Sequence, residues 1–336
     1  MALPNRAPRY GLRRALVCAL VAVALAVAFE RTLRVSYATH DPRRSAVLVT
    51  GASTGIGRAA AIALLAHGFV VYAGVRDEAA ALDLVASHGS RMRPLLLDVT
   101  NPSQIDAAFA NVTEHAQVAG GGQLVGLVNN AGVTYKRPME TADLDRVREL
   151  IEVNVLGALA VTQRFLPLLR RSRGRVVNVG SVQGIVAMPM HGPYAVTKHA
   201  LEALSGTLRQ ELSPHGVSVS LVSPGYVNTP LRQKGSPARE AALSPVEVAV
   251  YGDRFAALQR KEATLSEHAP ACCSQTDAAI IHALTDRHPR TRYYPFTAAV
   301  KLGDAFPAWL AALLIRATSV HPTLDRLQDL VLARLL

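Results

Sequence analysis

The sequence predicts an α/β fold built on a doubly wound parallel β-sheet. From Ser45 onward, short runs rich in β-branched residues alternate with helical patterns, as expected of βαβ units whose sheet is covered on both faces. Glycine or proline punctuates nearly every joint between these segments. No internal repeat and no long linker interrupts the pattern, so a single domain is expected over residues 45–296.

Strands and helices are predicted in alternation along this domain. The strands are expected at residues 46–50, 69–75, 93–98, 124–128, 175–180, 217–222 and 291–296. The helices are expected at residues 56–67, 78–88, 103–115, 142–171 and 194–213. Doubly wound sheets bind ligands at the carboxyl ends of their strands. The loops that follow the strands are therefore expected to carry the function.

Composition and charge exclude several classes of protein. Half of the 336 residues are apolar and only 18% are charged, which excludes wholesale disorder. Three cysteines are too few for a disulfide framework, and no Cys/His cluster has zinc-ligand spacing, so no metal site is predicted. The net charge is +11, but the arginines are scattered and no basic tract is interleaved with aromatic residues. Nucleic-acid binding is not predicted, and an anionic membrane surface fits the charge better.

Residues 1–44 form a basic segment that contains an unbroken apolar run at residues 15–29, flanked by arginines. A membrane-spanning helix needs about 20 apolar residues, so fifteen is short for an anchor and sufficient for a signal peptide. Three interpretations remain open: an uncleaved signal anchor, a cleaved signal for export, and a chance apolar tail. We favour the anchor. The protein is then membrane-associated and single-pass, in the endoplasmic reticulum if it is eukaryotic.

A glycine-rich loop with the spacing G-x-x-x-G-x-G follows the first strand and leads directly into an apolar helix. Such a loop allows backbone N–H groups to approach a pyrophosphate at the helix N-terminus. A structural turn is the alternative, and the strand-then-helix setting favours dinucleotide binding. The residues expected to contact the cofactor here are Gly51, Ser53, Thr54, Gly55, Ile56 and Gly57.

The second strand carries the signal for cofactor choice. Gly74 stands where an acidic residue would bind the ribose of NAD, and Arg76 follows closely. An arginine here is suited to a 2′-phosphate, which favours NADP(H) over NAD(H). In the alternative interpretation, Arg76 is a solvated loop residue and Asp77 caps the next helix.

Polar residues also end the third and fourth strands. Asp98, followed by Val99, offers a short acceptor for an adenine amino group, although a helix cap explains it equally well. The sequence Asn129-Asn130-Ala131-Gly132 follows the fourth strand. Paired asparagines there suggest side chains that complete backbone hydrogen bonds near a ligand, and a plain turn is the alternative.

Ser181 follows the fifth strand, and Tyr194 and Lys198 open the next helix. Tyr194 and Lys198 are four residues apart and share a helix face, so the ammonium group is expected close to the phenol. A nearby cation stabilises the phenolate, which otherwise forms only near pH 10. Ser181 is then expected to hydrogen-bond a reacting oxygen while Tyr194 exchanges the proton. An isolated Y-x-x-x-K can also be a surface pair.

These motifs, together with Asn154 and Pro224-Gly225, resemble the short-chain dehydrogenase/reductase family in order and spacing. The resemblance implies a Rossmann-type seven-stranded sheet, an NAD(P)-dependent alcohol dehydrogenase or carbonyl reductase, and a homodimer formed through the helices of Asn154 and Tyr194. It also implies a Ser181-Tyr194-Lys198 centre, with Asn154 holding a proton-relay water. Besides the glycine loop and Arg76, the implied cofactor contacts are Asp98, Val99, Asn129, Ala131, Tyr194, Lys198, Pro224, Val227 and Thr229.

The apolar run, residues 72–76 and the stretches at residues 289–293 and 299–302 are similar to membrane-bound retinol and hydroxysteroid dehydrogenases. This resemblance implies a small lipophilic substrate of steroid or retinoid type. A reductase of long-chain 3-oxo lipids, such as 3-ketosphingoid bases, and a nucleotide-sensing membrane protein without turnover are the alternatives.

Two further stretches complete the prediction. Residues 226–265 are polar and are expected to form a substrate lid, with residues 183–191 opposite. His191 is interpreted as a loop histidine. Residues 297–336 are expected to form a helical C-terminal extension. Its apolar segment at residues 305–315 either dips into a bilayer or packs on the body.

Overall fold

The structure is a computed structural model that describes residues 35–117, 122–229, 231, 243–268 and 273–295. The apolar run at residues 15–29, the C-terminal extension at residues 297–336 and part of the predicted lid lie outside the described residues. Ala38–Leu336 form one unit of the chain and Met1–Tyr37 another. The strands and helices described next all belong to the unit Ala38–Leu336.

A seven-stranded parallel sheet forms the centre of the fold, with strand order β3-β2-β1-β4-β5-β6-β7. Each neighbouring pair of strands is parallel. The order continues the 3-2-1-4-5-6 arrangement of doubly wound sheets by one strand, which confirms the predicted sheet. The strands are β1 (Ser45–Thr50), β2 (Val70–Val75), β3 (Met92–Leu96), β4 (Gln123–Asn129), β5 (Arg175–Val179), β6 (Ser218–Val222) and β7 (Arg292–Tyr293).

The helices lie on both faces of the sheet. They are α1 (Gly55–Ala66), α2 (Glu78–His88), α3 (Pro102–Gln117), α4 (Leu144–Ile151), α5 (Ala158–Ser172), α6 (Gly192–Leu212), α7 (Pro245–His268) and α8 (Ser274–Thr285). Residues of α3, α5 and α6 belong to one core cluster, and residues of α1, α2 and α8 belong to the other. Strand β1 serves both clusters: Ala46 and Leu48 pack in the first, Val47 and Val49 in the second. A strand buried on both faces has no need of polar alternation.

The predicted helix at residues 142–171 is divided in the structure. Asp143 caps α4 by accepting a hydrogen bond from the N–H of Asp145 at 2.8 Å. Between α4 and α5, Glu152–Gly157 form a π-helical turn, which contains the buried Asn154. Such turns occur mostly as single insertions within α-helices, often at functional sites, and no local pattern in the sequence predicts this one.

Two helices were not predicted. Helix α7 occupies most of the stretch expected to be a polar lid, and α8 follows it. Helix α8 packs on the sheet through Ile280, Ala283 and Leu284, a spacing that is typical of a buried helix face. In the part of the chain that the structure describes, no helix has both the length and the apolar character required to cross a membrane.

Candidate active site

A cleft with about 990 Å³ of open space lies at the carboxyl ends of the central strands; we call it the first cleft. Many of the residues predicted to bind a cofactor line it: Gly51, Ser53, Thr54, Gly55, Ile56, Arg76, Asp98, Val99, Ala131, Tyr194, Lys198 and Thr229. The lining also includes Leu97, Asn130, Gly132, Val133, Val153, Val179, Gly180 and Leu231, which were not predicted as site residues. Gly57, Asn129, Asn154, Ser181, Pro224 and Val227 do not line the first cleft.

The glycine loop is packed so closely that two of its glycines are required. A Cβ atom on Gly57 would lie 2.3 Å from the carbonyl oxygen of Gly51 and 2.3 Å from Nδ2 of Asn130. Gly51 itself has φ +65°, a left-handed conformation that side chains disfavour. Gly57 therefore allows the loop to pack closely, although it does not line the first cleft. Helix α1 begins at the cleft, and the first N–H groups of a helix have no partner within the helix itself. Such a cradle fits the phosphates of a dinucleotide.

The two asparagines after β4 have different places. Asn130 lines the first cleft, and its Nδ2 donates to the carbonyl oxygens of Thr50 at 3.0 Å and Gly51 at 3.2 Å. The side chain of Asn129 points into the core, where Nδ2 donates to Thr162 at 2.8 Å and to Asn178 at 2.9 Å. The structure thus brings Asn130 to the cleft in place of the predicted Asn129. Asn130 completes backbone hydrogen bonds at the cleft, as the paired asparagines suggested, whereas Asn129 bonds side chains in the core and does not.

After β2 and after β3, the structure shows both a residue at the cleft, where a cofactor contact was predicted, and a residue that caps a helix or holds a turn. Arg76 is exposed on the rim of the first cleft, while Asp77 caps α2 by accepting a hydrogen bond from the N–H of Ala80 at 2.8 Å. Asp98 lines the cleft, and its Oδ1 accepts hydrogen bonds from the backbone N–H of Thr100 at 2.9 Å and its hydroxyl at 2.7 Å. Asp98 therefore holds the turn that precedes α3.

Ser181, Tyr194 and Lys198 come together at the end of β5. Lys198 Nζ lies 5.5 Å from the centre of the Tyr194 ring and donates to the carbonyl oxygen of Val179 at 3.0 Å. Burial raises the pKa of Tyr194 to about 12, and a hydrogen bond with Ser181 acts in the opposite direction. Burial lowers the pKa of Lys198 to about 8. The spacing of Tyr194 and Lys198 brings their side chains together as predicted, but the pKa of the phenol is raised by burial, whereas a nearby cation was expected to favour the phenolate.

Asn154 ties the loop after β4 to the helix that carries Tyr194. Its Oδ1 accepts a hydrogen bond from the N–H of Val133 at 2.8 Å, and its Nδ2 donates to the Val133 carbonyl oxygen at 2.9 Å. The same Nδ2 donates to Thr197 Oγ1 at 3.0 Å, and that hydroxyl donates to the carbonyl oxygen of Tyr194 at 2.8 Å. With its side chain engaged in this way, Asn154 acts on the position of α6.

A second cleft, with about 890 Å³ of open space, adjoins the first. Tyr194, Thr229 and Leu231 line both clefts. The second cleft is lined in addition by Thr134, Lys136, Ser181, Val182, Gln183, Met188, His191, Gly225, Tyr226, Val227, Leu258 and Glu262. Ser181 and Val227 therefore face the second cleft and not the first, while Pro224 lines neither. The Tyr194 side chain stands where a ligand in one cleft meets a ligand in the other.

A charged cluster that the sequence did not indicate lines the second cleft. Lys136 Nζ lies 2.8 Å from Glu262 Oε2, and His191 Nε2 lies 3.3 Å from Glu262 Oε1. Tyr226 donates to the Glu262 carbonyl oxygen at 3.3 Å. These contacts connect α7 to the loop after β4 and to the loop before α6. His191 is buried and paired, which differs from a plain loop histidine.

The loop before Tyr194 is held in a left-handed conformation. Met190 has φ +67° and is buried. Its carbonyl oxygen accepts a hydrogen bond from the N–H of Arg137 at 2.9 Å. A bulky residue in this conformation costs free energy and persists only where its surroundings fix it. The loop that leads into the Tyr194 helix is therefore fixed by the segment after β4.

Comparison with known proteins identifies a matching family and several similar proteins. Residues 45–240 match the family described as short chain dehydrogenase. Retinol dehydrogenase 5 of Homo sapiens is 36% identical over 286 residues, which cover 83% of this chain and 87% of that protein. The mitochondrial D-beta-hydroxybutyrate dehydrogenase of Mus musculus is 34% identical over 286 residues, covering 80% of this chain and 82% of that protein.

Solved structures agree with these relatives. A short-chain dehydrogenase from Streptomyces avermitilis is 29% identical, with a TM-score of 0.64 over 85% of this chain and 95% of its own. A short chain dehydrogenase from Burkholderia cenocepacia, solved in complex with NADP, is 25% identical, with a TM-score of 0.59 over 88% of this chain and 100% of its own. Each of these two relatives and two structures covers at least 80% of this chain.

Proposed function

The chain belongs to the short-chain dehydrogenase/reductase family and is an NAD(P)-dependent alcohol dehydrogenase or carbonyl reductase, and we propose that Tyr194 is its general acid and base. The observation that carries this proposal is the position of Tyr194, which lines both clefts. A cofactor in the first cleft and a substrate in the second then meet at the phenol. A bound nicotinamide cofactor supplies or accepts the hydride.

The proton-transfer step follows from the groups around the phenol. When a carbonyl is reduced, Tyr194 donates its proton to the oxygen, and a pKa of about 12 keeps the phenol protonated at neutral pH. When an alcohol is oxidised, the phenolate must form, and a positive charge nearby favours it. Lys198 remains mostly protonated below its pKa of about 8. Ser181, hydrogen-bonded to Tyr194 and lining the second cleft, donates to the reacting oxygen.

Asn154 is proposed to position Tyr194 and not to contact the substrate. Its amide joins the backbone of Val133 to Thr197, whose hydroxyl bonds the Tyr194 carbonyl oxygen. Val133 lines the first cleft. The family resemblance implies a further role for Asn154, which is to hold a relay water. The first role fixes the position of the phenol, and the second supplies it with a proton.

The first cleft is proposed to hold NADP(H) in preference to NAD(H). The loop that Gly57 shapes fits the pyrophosphate, and Asp98 and Val99 line the region proposed for the adenine. Arg76 is exposed on the rim of the cleft, where its guanidinium is free to meet a 2′-phosphate in water. No acidic side chain lines the first cleft besides Asp98 among the described residues.

Cofactor choice is tested by Arg76→Ala. We expect its dissociation constant for NADPH to rise about tenfold, since a charge-assisted hydrogen bond is lost, and its affinity for NADH to change little. Arg287→Ala is the matched control, because Arg287 is an exposed arginine that does not line the first cleft. Equal loss of NADPH and NADH affinity in Arg76→Ala contradicts the 2′-phosphate role.

The second cleft is proposed to take a small lipophilic substrate of steroid or retinoid type. Val182, Met188, Val227, Leu231 and Leu258 give it an apolar wall, and one relative is a retinol dehydrogenase. A long-chain 3-oxo lipid is the second candidate, favoured by the polar side chains that the same cleft contains and by the relative that acts on hydroxybutyrate.

The remaining parts of the proposal concern the whole chain. Residues 1–44 are proposed to anchor the protein in a membrane through residues 15–29, and residues 45–296 to form the catalytic domain. Residues 297–336 are proposed to add a helical extension, whose apolar segment at residues 305–315 either contacts the membrane or packs on the body. A homodimer is proposed through the helices that carry Asn154 and Tyr194. Export after cleavage of residues 1–28 is the alternative to a single-pass protein of the endoplasmic reticulum.

The reaction is tested with the full chain purified in detergent. NADH and NADPH are oxidised or reduced in parallel with a panel of steroids, retinoids and long-chain 3-oxo lipids. Turnover of a steroid or retinoid supports the proposed substrate class, whereas turnover of 3-oxo lipids alone replaces it with the second candidate. Tight nucleotide binding without turnover of any alcohol or carbonyl compound contradicts the proposed function.

A further inference from the structure

Gln183 is a buried polar residue in the second cleft that the proton-transfer step does not use. It is 9% exposed, and its Oε1 is buried without a hydrogen-bond partner among the described residues. Its backbone N–H donates to Ser181 Oγ at 3.2 Å. The side chain therefore starts directly beside the hydroxyl proposed to bind the reacting oxygen. A buried acceptor without a partner costs free energy, which a ligand that supplies a donor would recover.

A second observation concerns three other polar residues of the second cleft, Lys136, His191 and Glu262, which together with Gln183 we call its polar wall. Lys136 and His191, which come from different loops, are held on the second cleft by the two carboxylate oxygens of Glu262, at 2.8 and 3.3 Å. All three side chains are largely buried. A cleft that takes only hydrocarbon has no need of them, since burying charged and polar groups beside an apolar ligand is unfavourable.

The chemistry of these groups selects the ligand group. Gln183 Oε1 requires a hydrogen-bond donor, which a carboxylate cannot supply, and Glu262 repels a carboxylate as well. Lys136 repels an ammonium group, because both carry a positive charge. A neutral hydroxyl is compatible with all of these groups, because it donates to Gln183 and is repelled by neither Lys136 nor Glu262.

We propose that Gln183 binds a second hydroxyl group of the substrate, carried close to the reacting carbon, and so makes the enzyme specific for hydroxylated lipophilic carbonyl compounds. This inference rests on the proposed function, because it names the substrate class of the same site. The apolar wall takes the hydrocarbon part of the substrate, and the polar wall takes the hydroxyl.

The test takes ketones of the class that the wild type turns over, whether steroid, retinoid or long-chain, and compares matched pairs with and without a hydroxyl on the first or second carbon from the carbonyl. The wild-type chain is expected to show a higher kcat/KM for the hydroxyketones. In Gln183→Leu, which keeps the approximate size and removes the acceptor, the ratio of hydroxyketone to plain ketone is expected to fall about 10- to 100-fold. Gln210→Leu, the same substitution at an exposed position of α6, is the matched control, and its ratio should stay as in the wild type.

Nucleotide affinity, measured for each variant by titration, shows that the first cleft is intact. A wild-type ratio of one or less overturns the inference without any variant, and so does a ratio that Gln183→Leu leaves unchanged. In both cases turnover of plain ketones leaves the proposed function standing. Absence of turnover with every alcohol and carbonyl compound overturns the proposed function and this inference together.

Discussion

The tight packing behind the glycine loop makes Gly57→Ala a sharp test of the first cleft. The added methyl group would lie 2.3 Å from the Gly51 carbonyl oxygen, whereas Cβ contacts below 3.0 Å are essentially never seen. The loop must therefore retreat by at least about 0.7 Å, and Asn130, also 2.3 Å away, must move with it. Overpacking of this kind costs about 1–3 kcal/mol of stability. Misplacement of a binding loop by about 1 Å is sufficient to lower activity about 100-fold.

We expect Gly57→Ala to remain folded, with a lower melting temperature and with nucleotide affinity reduced about tenfold or more. The assay is titration of NADPH followed by steady-state kinetics. Gly206→Ala is the matched control, because Gly206 lies within α6 with nothing within 4 Å of an added Cβ; it should be neutral or more stable by about 0.5–1 kcal/mol. A Gly57→Ala variant that binds NADPH as tightly as the wild type would refute the assignment of this loop to the cofactor.

Two further predictions concern the residues around Tyr194. Burial lowers the pKa of Lys198 from 10.5 to about 8. The unfolded chain therefore binds more protons between these values, and this group makes the free energy of unfolding rise with pH over that interval. Lys198→Met should flatten the rise of the free energy of unfolding between pH 8 and 10, while turnover is lost. Denaturant titration at several pH values measures this, and an unchanged pH slope counts against it. Asn154→Leu leaves both backbone groups of Val133 without their partner, so urea denaturation should show a loss of about 2–4 kcal/mol. Gln210→Leu, exposed on α6, is its control and should stay within about 0.5 kcal/mol of the wild type; similar stability of the two variants contradicts the role of Asn154.

The sheet could be predicted because a doubly buried strand leaves a clear mark on the sequence. The apolar run of β1 serves two clusters at once, and the glycine loop follows it without interruption. Helix α7 was missed because its polar composition resembles a loop, although its Glu262 contacts the body of the protein. The π-helical turn at Asn154 depends on tertiary hydrogen bonds, which no local pattern records.

The site was predictable where spacing alone decides the geometry. Tyr194 and Lys198 share a helix face whatever surrounds them, so their proximity follows from the sequence. The choice between Asn129 and Asn130 depends on which side chain faces the core at the end of β4, and a one-residue difference reverses it. The contact of Lys136 with Glu262 joins residues 126 positions apart, and contacts at such separation leave no pattern in a single sequence.

Desolvation explains why the sequence did not predict the protonation of the phenol. The spacing of Tyr194 and Lys198 predicts a cation that favours the phenolate. In the folded site, burial of both groups raises the pKa of Tyr194 and lowers that of Lys198. Burial depends on the walls of both clefts, which come from segments far apart in the chain.

The position of Tyr194 between the two clefts is tested most directly by Tyr194→Phe in the purified full chain, with a substrate that the wild type turns over. The substitution removes the phenolic oxygen and keeps the ring that lines both clefts. The account predicts that kcat falls by at least about 100-fold while NADPH affinity stays within a few fold of the wild type. Turnover by Tyr194→Phe at a rate near that of the wild type would contradict the assignment of this phenol as the acid and base.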